Sequence, residues 1–498
     1  MKLYSDNQKG SLFVISDMRG LLLFTLLIFI GSCSIEKSMQ NAEFDAVISK
    51  LGGEPTKNTA EENIMVGDAY RKSNRPVEAL PYYQAALKEG TPEEAVNLYV
   101  AQGLKVEQKY VEAERVIEKY LPRARNEDIR KRAEKELENL RKMDDLHGKS
   151  SYFRVKNLGD INTPNAEYSP VYSRNFLYFT SNREGGKIYR TTGTPFTDIY
   201  RVATKGANVN LATLNSLDPI INHLDTNEGS VAIAPDGNSM VFAKGNDGKA
   251  KGYSEVNLFF TRFRNGKWSD PVPLSINVAD AWDSTPAFSP DGTTLYFSST
   301  RAGGHGGADL YQAKRNRRGR WVDVRNLGPE INTSGDEVFP YVSEDGSLYF
   351  SSDGHHGLGK LDMFKAVREG GHVTVTNLGK PMNSHADDFG LHEFNLTKGF
   401  FSSNRKGGKG DDDIYTFIND DPDLRIVNYF LTGTTVTTDD AGEEIILPNT
   451  KVQLTADNGD VLDEAFTGAN GKFNFRVYPE EHYDLISEKT DYFTVRKD

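Results

Sequence analysis

The stretch Ser289–Tyr311, SPDGTTLYFSSTRAGGHGGADLY, constrains this chain most, because its pattern returns in five imperfect copies between about Tyr152 and Ile418. One copy reads as a β-prone run, an Asp-Gly turn, an apolar run, a glycine-rich loop and a short strand with an acid and an aromatic. Ala287 and Phe288 precede the turn and Leu295, Tyr296 and Phe297 follow it, so Asp291-Gly292 is a hairpin signal between two strands. The other copies are EYSPVYSRNFLYFTSNREGG with TDIY, EGSVAIAPDGNSMVFAKG with VNLFF, VFPYVSEDGSLYFSSDGHHG with LDMF, and DDFGLHEFNLTKGFFSSNRKGG with DDIY.

Linking segments end in NLG at Asn157–Gly159, Asn326–Gly328 and Asn377–Gly379. A strand-rich repeat of about fifty residues is the signature of a β-propeller, whose four-stranded blades each need a neighbour to cover their faces. YFRVKNLG (Tyr152–Gly159) precedes the first copy yet resembles the outer-strand segment WVDVRNLG (Trp321–Gly328), and the last copy has no outer strand of its own. The expectation is five blades, the last closed by the N-terminal strand so that no open edge is left. The outer strand of the first blade is expected within Ala207–Leu214.

Each copy also repeats an acid before its third strand, at Asp198, Asp309, Asp362 and Asp413, with Asn257 in the second copy. These are expected to accept backbone hydrogen bonds and shape the blades; the competing reading is a metal ligand. Arg183, Arg301 and Arg405 recur in the loop after the second strand and are expected to pair with those acids or to cap carbonyls. In a sialidase-type Asp box the glycine lies two residues past the aspartate, whereas Asp236-Gly237, Asp291-Gly292 and Asp345-Gly346 are adjacent. No G-x-S-x-G elbow, HExxH helix, Walker loop or CxxC pair occurs. His355-His356 reads as an exposed loop pair with too few further ligands for a metal. No catalytic residue, metal or cofactor is expected.

The chain's formal net charge of −12 argues against nucleic acid as a partner, since phosphate binding needs a basic surface. Against that background Lys314, Arg315, Arg317, Arg318 and Arg320 crowd one hairpin. That tip either grips an acidic partner or an anionic envelope polymer, or is a solvated hairpin that keeps an edge soluble.

Cys33, the only cysteine, excludes an internal disulfide. It follows Arg19 and the apolar run LLLFTLLIFI (Leu21–Ile30), which suits a signal peptide and is too short for a bilayer-spanning helix. Ile30-Gly31-Ser32-Cys33 resembles the lipobox of bacterial lipoproteins, in which the cysteine takes a diacylglycerol and begins the mature chain. MRGLLLF, from Met18, makes a more ordinary start for such a peptide than Met1. Ser34 with only Glu36 nearby is compatible, within that resemblance, with the periplasmic face of the outer membrane.

From Glu61 to about Lys142 the period becomes helical. Gly67, Tyr70, Ala79, Tyr83 and Ala86 resemble the packing positions of a tetratricopeptide repeat (TPR), and Ala101, Leu104, Ala113, Ile117 and Tyr120 follow 34 residues on. A charged helix, Asn126–Asp145, is expected to cap the stack. Two readings stand, a docking module for a peptide or helix and a spacer holding the propeller off the membrane. After the NDDPD linker (Asn419–Asp423), short strands alternate with Gly, Asn and Asp turns. Gly433, Pro448-Asn449, Asn470-Gly471-Lys472-Phe473 and Tyr483 resemble the carboxypeptidase regulatory-like β-sandwich, a spacer without catalysis.

The expected fold is therefore multidomain: a short α-helical TPR array, a five-bladed β-propeller and a small C-terminal β-sandwich. The sequence divides into a signal peptide (1–32), a tether (33–60), a TPR-like domain (61–148), the propeller (151–418), a linker (419–430) and the sandwich (431–498). The order of lipobox, TPR, TolB-type (PD40) propeller and regulatory-like sandwich resembles the PorE family, outer-membrane lipoproteins of the type IX secretion system of Bacteroidetes-type bacteria. SPDGTTLYFSSTR and SEDGSLYFSSD carry the propeller part of that resemblance. PorE proteins continue into an OmpA-like peptidoglycan-binding domain, which residues up to Asp498 do not supply, so peptidoglycan contact is expected only indirectly. The resemblance implies a non-enzymatic scaffold held in the outer membrane by Cys33 and binding envelope or secretion proteins. Alternatives are a glycan- or peptide-binding propeller, betrayed by aromatics and carboxylates converging at the channel mouth, and a TolB-like envelope adaptor.

Overall fold

The computed structural model describes residues 35–73, 75–143, 151–183, 186–245, 256–369, 371–424, 429–456, 459–477 and 482–497, and every structural statement concerns those residues. The signal-peptide reading and Cys33 lie outside them. No described helix is long and apolar enough to cross a membrane. The chain forms two units, Met1–Asp421 and Pro422–Asp498.

The first unit begins with helices α1 (Phe44–Leu51), α2 (Ala60–Lys72), α3 (Pro76–Lys88), α4 (Ala95–Val106), α5 (Tyr110–Tyr120) and α6 (Glu127–Arg141), each packed on the next. A capping box starts α2, with Glu62 N donating to Thr59 Oγ1 at 3.2 Å and Thr59 N to Glu62 Oε2 at 2.9 Å. Asn126 caps α6, its Oδ1 accepting from the amides of Asp128 and Ile129. Ala79, Tyr83, Leu104, Ile117, Tyr120 and Leu137 make one buried core. Gly67 lets α2 and α3 close up: a Cβ there would meet the Tyr83 ring at 2.6 Å. The tether expected over 33–60 is corrected by α1, whose Phe44 and Val47 are buried with Ala69 of α2. Eight residues are too few to show a helical period in sequence, and tertiary packing holds them.

The β-rich domain that follows is a series of four-stranded antiparallel sheets. Strand β1 (Phe153–Asn157) precedes the first sheet, β2 (Glu167–Ser173), β3 (Phe176–Ser181), β6 (Asp198–Lys205) and β7 (Asn208–Ser216), with the short pair β4 (Ile188–Tyr189) and β5 (Thr194–Pro195) in its loop. The second sheet is β8 (Asn227–Ile233), β9 (Ser239–Gly245), β10 (Val256–Arg264) and β11 (Lys267–Trp268), with β12 (Val272–Pro273) also paired to β10. The third is β13 (Asp283–Phe288), β14 (Thr294–Ser299), β15 (Asp309–Arg315) and β16 (Trp321–Asn326). The fourth is β17 (Glu337–Val342), β18 (Leu348–Ser352), β19 (Asp362–Glu369) and β20 (His372–Asn377). The fifth is β21 (Asp388–Asn395), β22 (Lys398–Ser403) and β23 (Asp413–Asn419), completed by β1.

The first strand of each sheet packs on that of the next, and β2 packs on β21, so the series closes on itself in a propeller arrangement. β1 pairs antiparallel with β23 from Phe153 opposite Asn419 to Asn157 opposite Tyr415. Phe153 and Val155 pack on the core of Leu391, Phe401 and Phe417. Deleting residues 151–158 is expected to bare the β23 edge and cost on the order of 3 kcal/mol, about 5–10 °C of thermal midpoint, with aggregation on heating. Calorimetry and light scattering on the truncated chain check this; an unchanged midpoint would show that β1 does not hold the ring closed.

The second unit comprises β24 (Tyr429–Thr434), β25 (Val436–Thr438), β26 (Glu444–Ile446), β27 (Lys451–Ala456), β28 (Val461–Phe466), β29 (Lys472–Val477), β30 (Tyr483–Glu488) and β31 (Val495–Lys497). Its main sheet runs β28-β27-β30-β31, β24 pairs with β29, and Val452, Leu454 and Phe475 form its core.

Candidate functional site

Repetition along the chain makes the recurring polar residues candidates for a site. Asp309 accepts from the amides of His305 (2.6 Å) and Gly306 (3.1 Å), and Asp413 likewise from Lys409 (2.6 Å) and Gly410 (3.1 Å). Asp362 accepts from Gly359 N at 3.1 Å, while burial raises the pKa of Asp198. The NLG asparagines tie outer strands to these acids: Asn326 Nδ2 donates to Asp309 and Asn157 Nδ2 to Asp413, each at 2.7 Å.

The arginines cap carbonyls as expected, Arg183 at Ile161 O (3.0 Å), Arg301 at Ile276 O (3.1 Å) and Arg405 at Pro381 O (2.8 Å), but their acid partners are not the expected ones. Arg183, Arg301 and Arg405 pair with Glu167 (3.2 Å), Asp283 (2.8 Å) and Asp388, which open the first strands of their sheets, and not with the acids before the third strands. Glu228 is held by Lys244 at 2.9 Å in the same way. Those acids, with Glu337, are 0% exposed. In the fourth sheet, among the described residues, no arginine pairs with Glu337. His355 takes the arginine's place there, bonding Ile331 O at 2.8 Å as Arg301 bonds Ile276 O at 3.1 Å, and lying against Phe350 and Phe364. His355-His356 is therefore half-buried packing, not an exposed loop pair. Without a cation, burial pushes the Glu337 carboxyl up to about 7, against hydrogen bonds from Thr333 and Ser352 that pull it down.

Two further fivefold features escaped the sequence reading. Asn162, Asn222, Asn277, Asn332 and Asn383 each accept an amide and return a hydrogen bond to the carbonyl of the same residue, at Ile414, Ile199, Leu258, Leu310 and Met363. The Ile-Asn or Met-Asn pair before each first strand was the available signal. Ser169, Ser230, Thr285, Phe339 and Gly390 all have φ between +45° and +67° at a bulge in those strands. The bulge aims an amide at the neighbouring sheet: Ser169 N donates to Ser402 Oγ at 2.9 Å and Ser230 N to Thr180 Oγ1 at 3.1 Å. Hydrogen bonds between sheets hold a conformation that would otherwise cost about 1–2 kcal/mol per residue.

The ring has two unlike ends. At the loop end the helical region is seated on the domain. Tyr110 Oη lies 2.6 Å from His385 Nδ1, His356 Nε2 lies 3.2 Å from Glu138 Oε1, and Arg190 Nη1 lies 3.3 Å from Glu43 Oε1. Met143 and Leu358 pack together beneath Tyr110. Lys105 and Glu136, 3.4 Å apart, form an ion pair whose side chains are each 6% exposed. Burial and Asp388 push the nearby Asp362 carboxyl up to about 8, against the charge of Lys105.

At the turn end the first strands surround a cavity of about 270 Å³, lined from the bulges to the turns. Tyr172, Phe288, Phe339, Tyr341 and His392 supply its rings, Pro170, Pro286 and Pro340 line it beside the bulges, and Glu344 is the one carboxylate among the described lining residues. His392, 4.7 Å from Tyr341 centroid to centroid, bonds Tyr172 O at 3.1 Å, and burial lowers its pKa to about 4, so it is neutral at pH 7. The funnel thus gathers aromatics without a second carboxylate from the described lining. Arg315, Arg317, Arg318 and Arg320 stand at the tip of the β15–β16 hairpin; the last three are exposed, while Arg315 lies over Trp321.

No protein-family model and no curated protein matches the chain. Among solved structures, a TolB-type protein of Agrobacterium tumefaciens is 16% identical over 66% of this chain and 98% of its own, with a TM-score of 0.32. TolB of Acinetobacter baumannii is 15% identical over 51% of this chain and 55% of its own, at 0.29. An α-L-arabinofuranosidase of Lactobacillus brevis is 12% identical over 57% of this chain and 92% of its own, at 0.34. Scores this low decide neither fold nor function.

Proposed function

We propose that the chain is a non-enzymatic scaffold of the outer membrane, built as a TPR-type helical array on a five-bladed propeller followed by a regulatory-like sandwich, and anchored through a lipid on Cys33. Its closest description is PorE-like, with envelope or type IX secretion proteins as partners and peptidoglycan reached only through them. The observation that carries this reading is the seating of the helices on the loop end of the ring. The two regions join into one platform through Tyr110, Glu138 and Met143. The recurring acids, asparagines and arginines are spent on architecture, which leaves surfaces for contact.

Crosslinking in cells followed by purification tests the role: envelope proteins crosslinked to the ring or helices support it, and turnover of a substrate by the purified chain defeats it. The Cys33→Ala chain is expected to leave the membrane fraction and lose its lipid label; retention in the membrane would remove the anchor. Leu358→Asp buries a carboxylate against Met143 and is expected to cost about 3 kcal/mol or more at the seat. Helices and ring should then melt in two calorimetric steps where the parent melts in one. The aromatic funnel favours a second reading, glycan or peptide binding at Tyr172, Phe339 and Tyr341; it is dropped if Tyr341→Ala leaves binding of test oligosaccharides and peptides unchanged.

A further inference from the structure

A second cavity, about 420 Å³, opens between the third and fourth sheets, within the size range of ligand pockets at roughly 300–1,000 Å³. Leu327, Ile331, Val342, Leu348, Ala366 and Val373 line it, and Arg325 and Arg368 border it.

Strand register explains why it exists. Between the second and third sheets the corresponding space is filled by Trp321, opposite Arg315, and Phe288, opposite Leu295, whose rings lie 5.9 Å apart. In the fourth sheet the residue opposite Arg368 is Val373 and the one opposite Leu348 is Val342. Trp268 holds the equivalent outer-strand place in the second sheet, opposite Phe263, and Phe153 holds it in the fifth, opposite Asn419. The sheets on both sides carry an aromatic where the fourth carries valine. The first sheet also has valine at this place, Val209 opposite Thr204, but Phe394 packs in the same cluster; at the fourth sheet, among the described residues, no ring takes that place and an apolar slot is left.

We propose that this slot receives an aromatic side chain from an acidic segment of a partner protein; the proposal rests on the scaffold reading and names the partner's chemistry. The charge pattern selects the occupant, since the exposed arginines outnumber Glu330, whose Oε1 accepts from Val373 N at 3.5 Å. Arg325 and Arg368 are exposed beside the slot, and Arg317, Arg318 and Arg320 project from the hairpin joining the two strands, β15 and β16, that build one of its walls. A chain of formal charge −12 repels acidic segments over most of its surface and gathers them here. Arg325 also pairs with Asp323 at 2.9 Å, but with side chains 67% and 47% exposed that pair is weak enough to be exchanged.

The test uses a fluorescein-labelled Glu-Asp-Trp-Asp-Glu peptide and the full chain. Val373→Trp, which puts in the fourth sheet what Trp321 supplies in the third, is expected to weaken binding tenfold or more without lowering the thermal midpoint. Arg325→Glu with Arg368→Glu, both at exposed positions, is expected to do the same and to flatten the salt dependence, so the test survives if the tryptophan variant misfolds. Equal binding of a peptide with alanine for tryptophan, or undiminished binding by both variants, overturns the proposal. So does binding of lauric acid but not the peptide, lost in Val373→Trp, which assigns the slot to an amphiphile. Crosslinked envelope partners with no peptide binding sink the slot and leave the scaffold standing. Peptide binding abolished by Val373→Trp, with no envelope protein crosslinked, keeps the slot and sinks the scaffold.

Discussion

Arg405→Ala is expected to destabilise the ring by about 3–5 kcal/mol, because it strands the carboxylate of Asp388, which is 0% exposed. The guanidinium does more than neutralise that charge. It donates to Ser403 Oγ (2.9 Å), Pro381 O (2.8 Å) and Met382 O (2.6 Å), and lies 5.1 Å from the ring centroids of Phe401 and Tyr415. Alanine removes the fork, the stacking and the cation together. Arg405→Lys restores the charge but not the fork that reaches Ser403, Pro381 and Met382 as well, so it should recover only part of the loss. Asp388→Asn in the Arg405→Ala background should recover part as well, since the stranded charge is then gone. Denaturant unfolding of the four chains checks this. A loss under 1 kcal/mol for Arg405→Ala would show that the pair adds little to the ring.

Stability is expected to fall as pH rises from about 6.5 to 8, by on the order of 3 kcal/mol in sum. Glu228 and Glu337 are held up to about 7, and Asp362 to about 8, chiefly by burial. In this window the unfolded chain has lost these protons and the folded chain still holds them. The folded state binds more protons, so raising the pH through the folded pKa values withdraws stability. The histidines work the other way: His355, His356 and His392 are depressed chiefly by loss of solvent, and their contribution is lost as pH falls below about 6.5. Measuring above that pH isolates the acids. His355→Arg offers Glu337 the partner that Asp283 has in Arg301, and should raise the midpoint at pH 8 more than at pH 6.5. A midpoint that rises across the window would contradict the burial of neutral carboxyls.

Some of this was legible in the residues. Asp-Gly turns between apolar runs placed the hairpins, and the likeness of YFRVKNLG to WVDVRNLG pointed to the pairing of β1 with β23. The acids that open the first strands were not legible, because they alternate between Glu and Asp and stand at a strand start with no local partner. Their arginines are visible in the repeat, and the carbonyl capping expected of them holds, but the acids nearest them in the repeat, Asp309 and Asp413, take backbone amides instead. Helix α1 is not legible in the residues around it, since it packs on Ala69 of the neighbouring helix.

The sequence by itself determined the local alternation of strand and turn, the repetition that makes sheets stack, and the helical period before them, because each depends on residues close along the chain. Tertiary structure alone decided which carboxyls burial holds above their usual range, where the helices sit on the ring, and that Val373 leaves a gap where Trp321 fills one. Burial and register join residues far apart in sequence, and a bulge at Asp323 (φ 54°) shifts the third sheet by one residue, so no spacing along the chain discloses that equivalence.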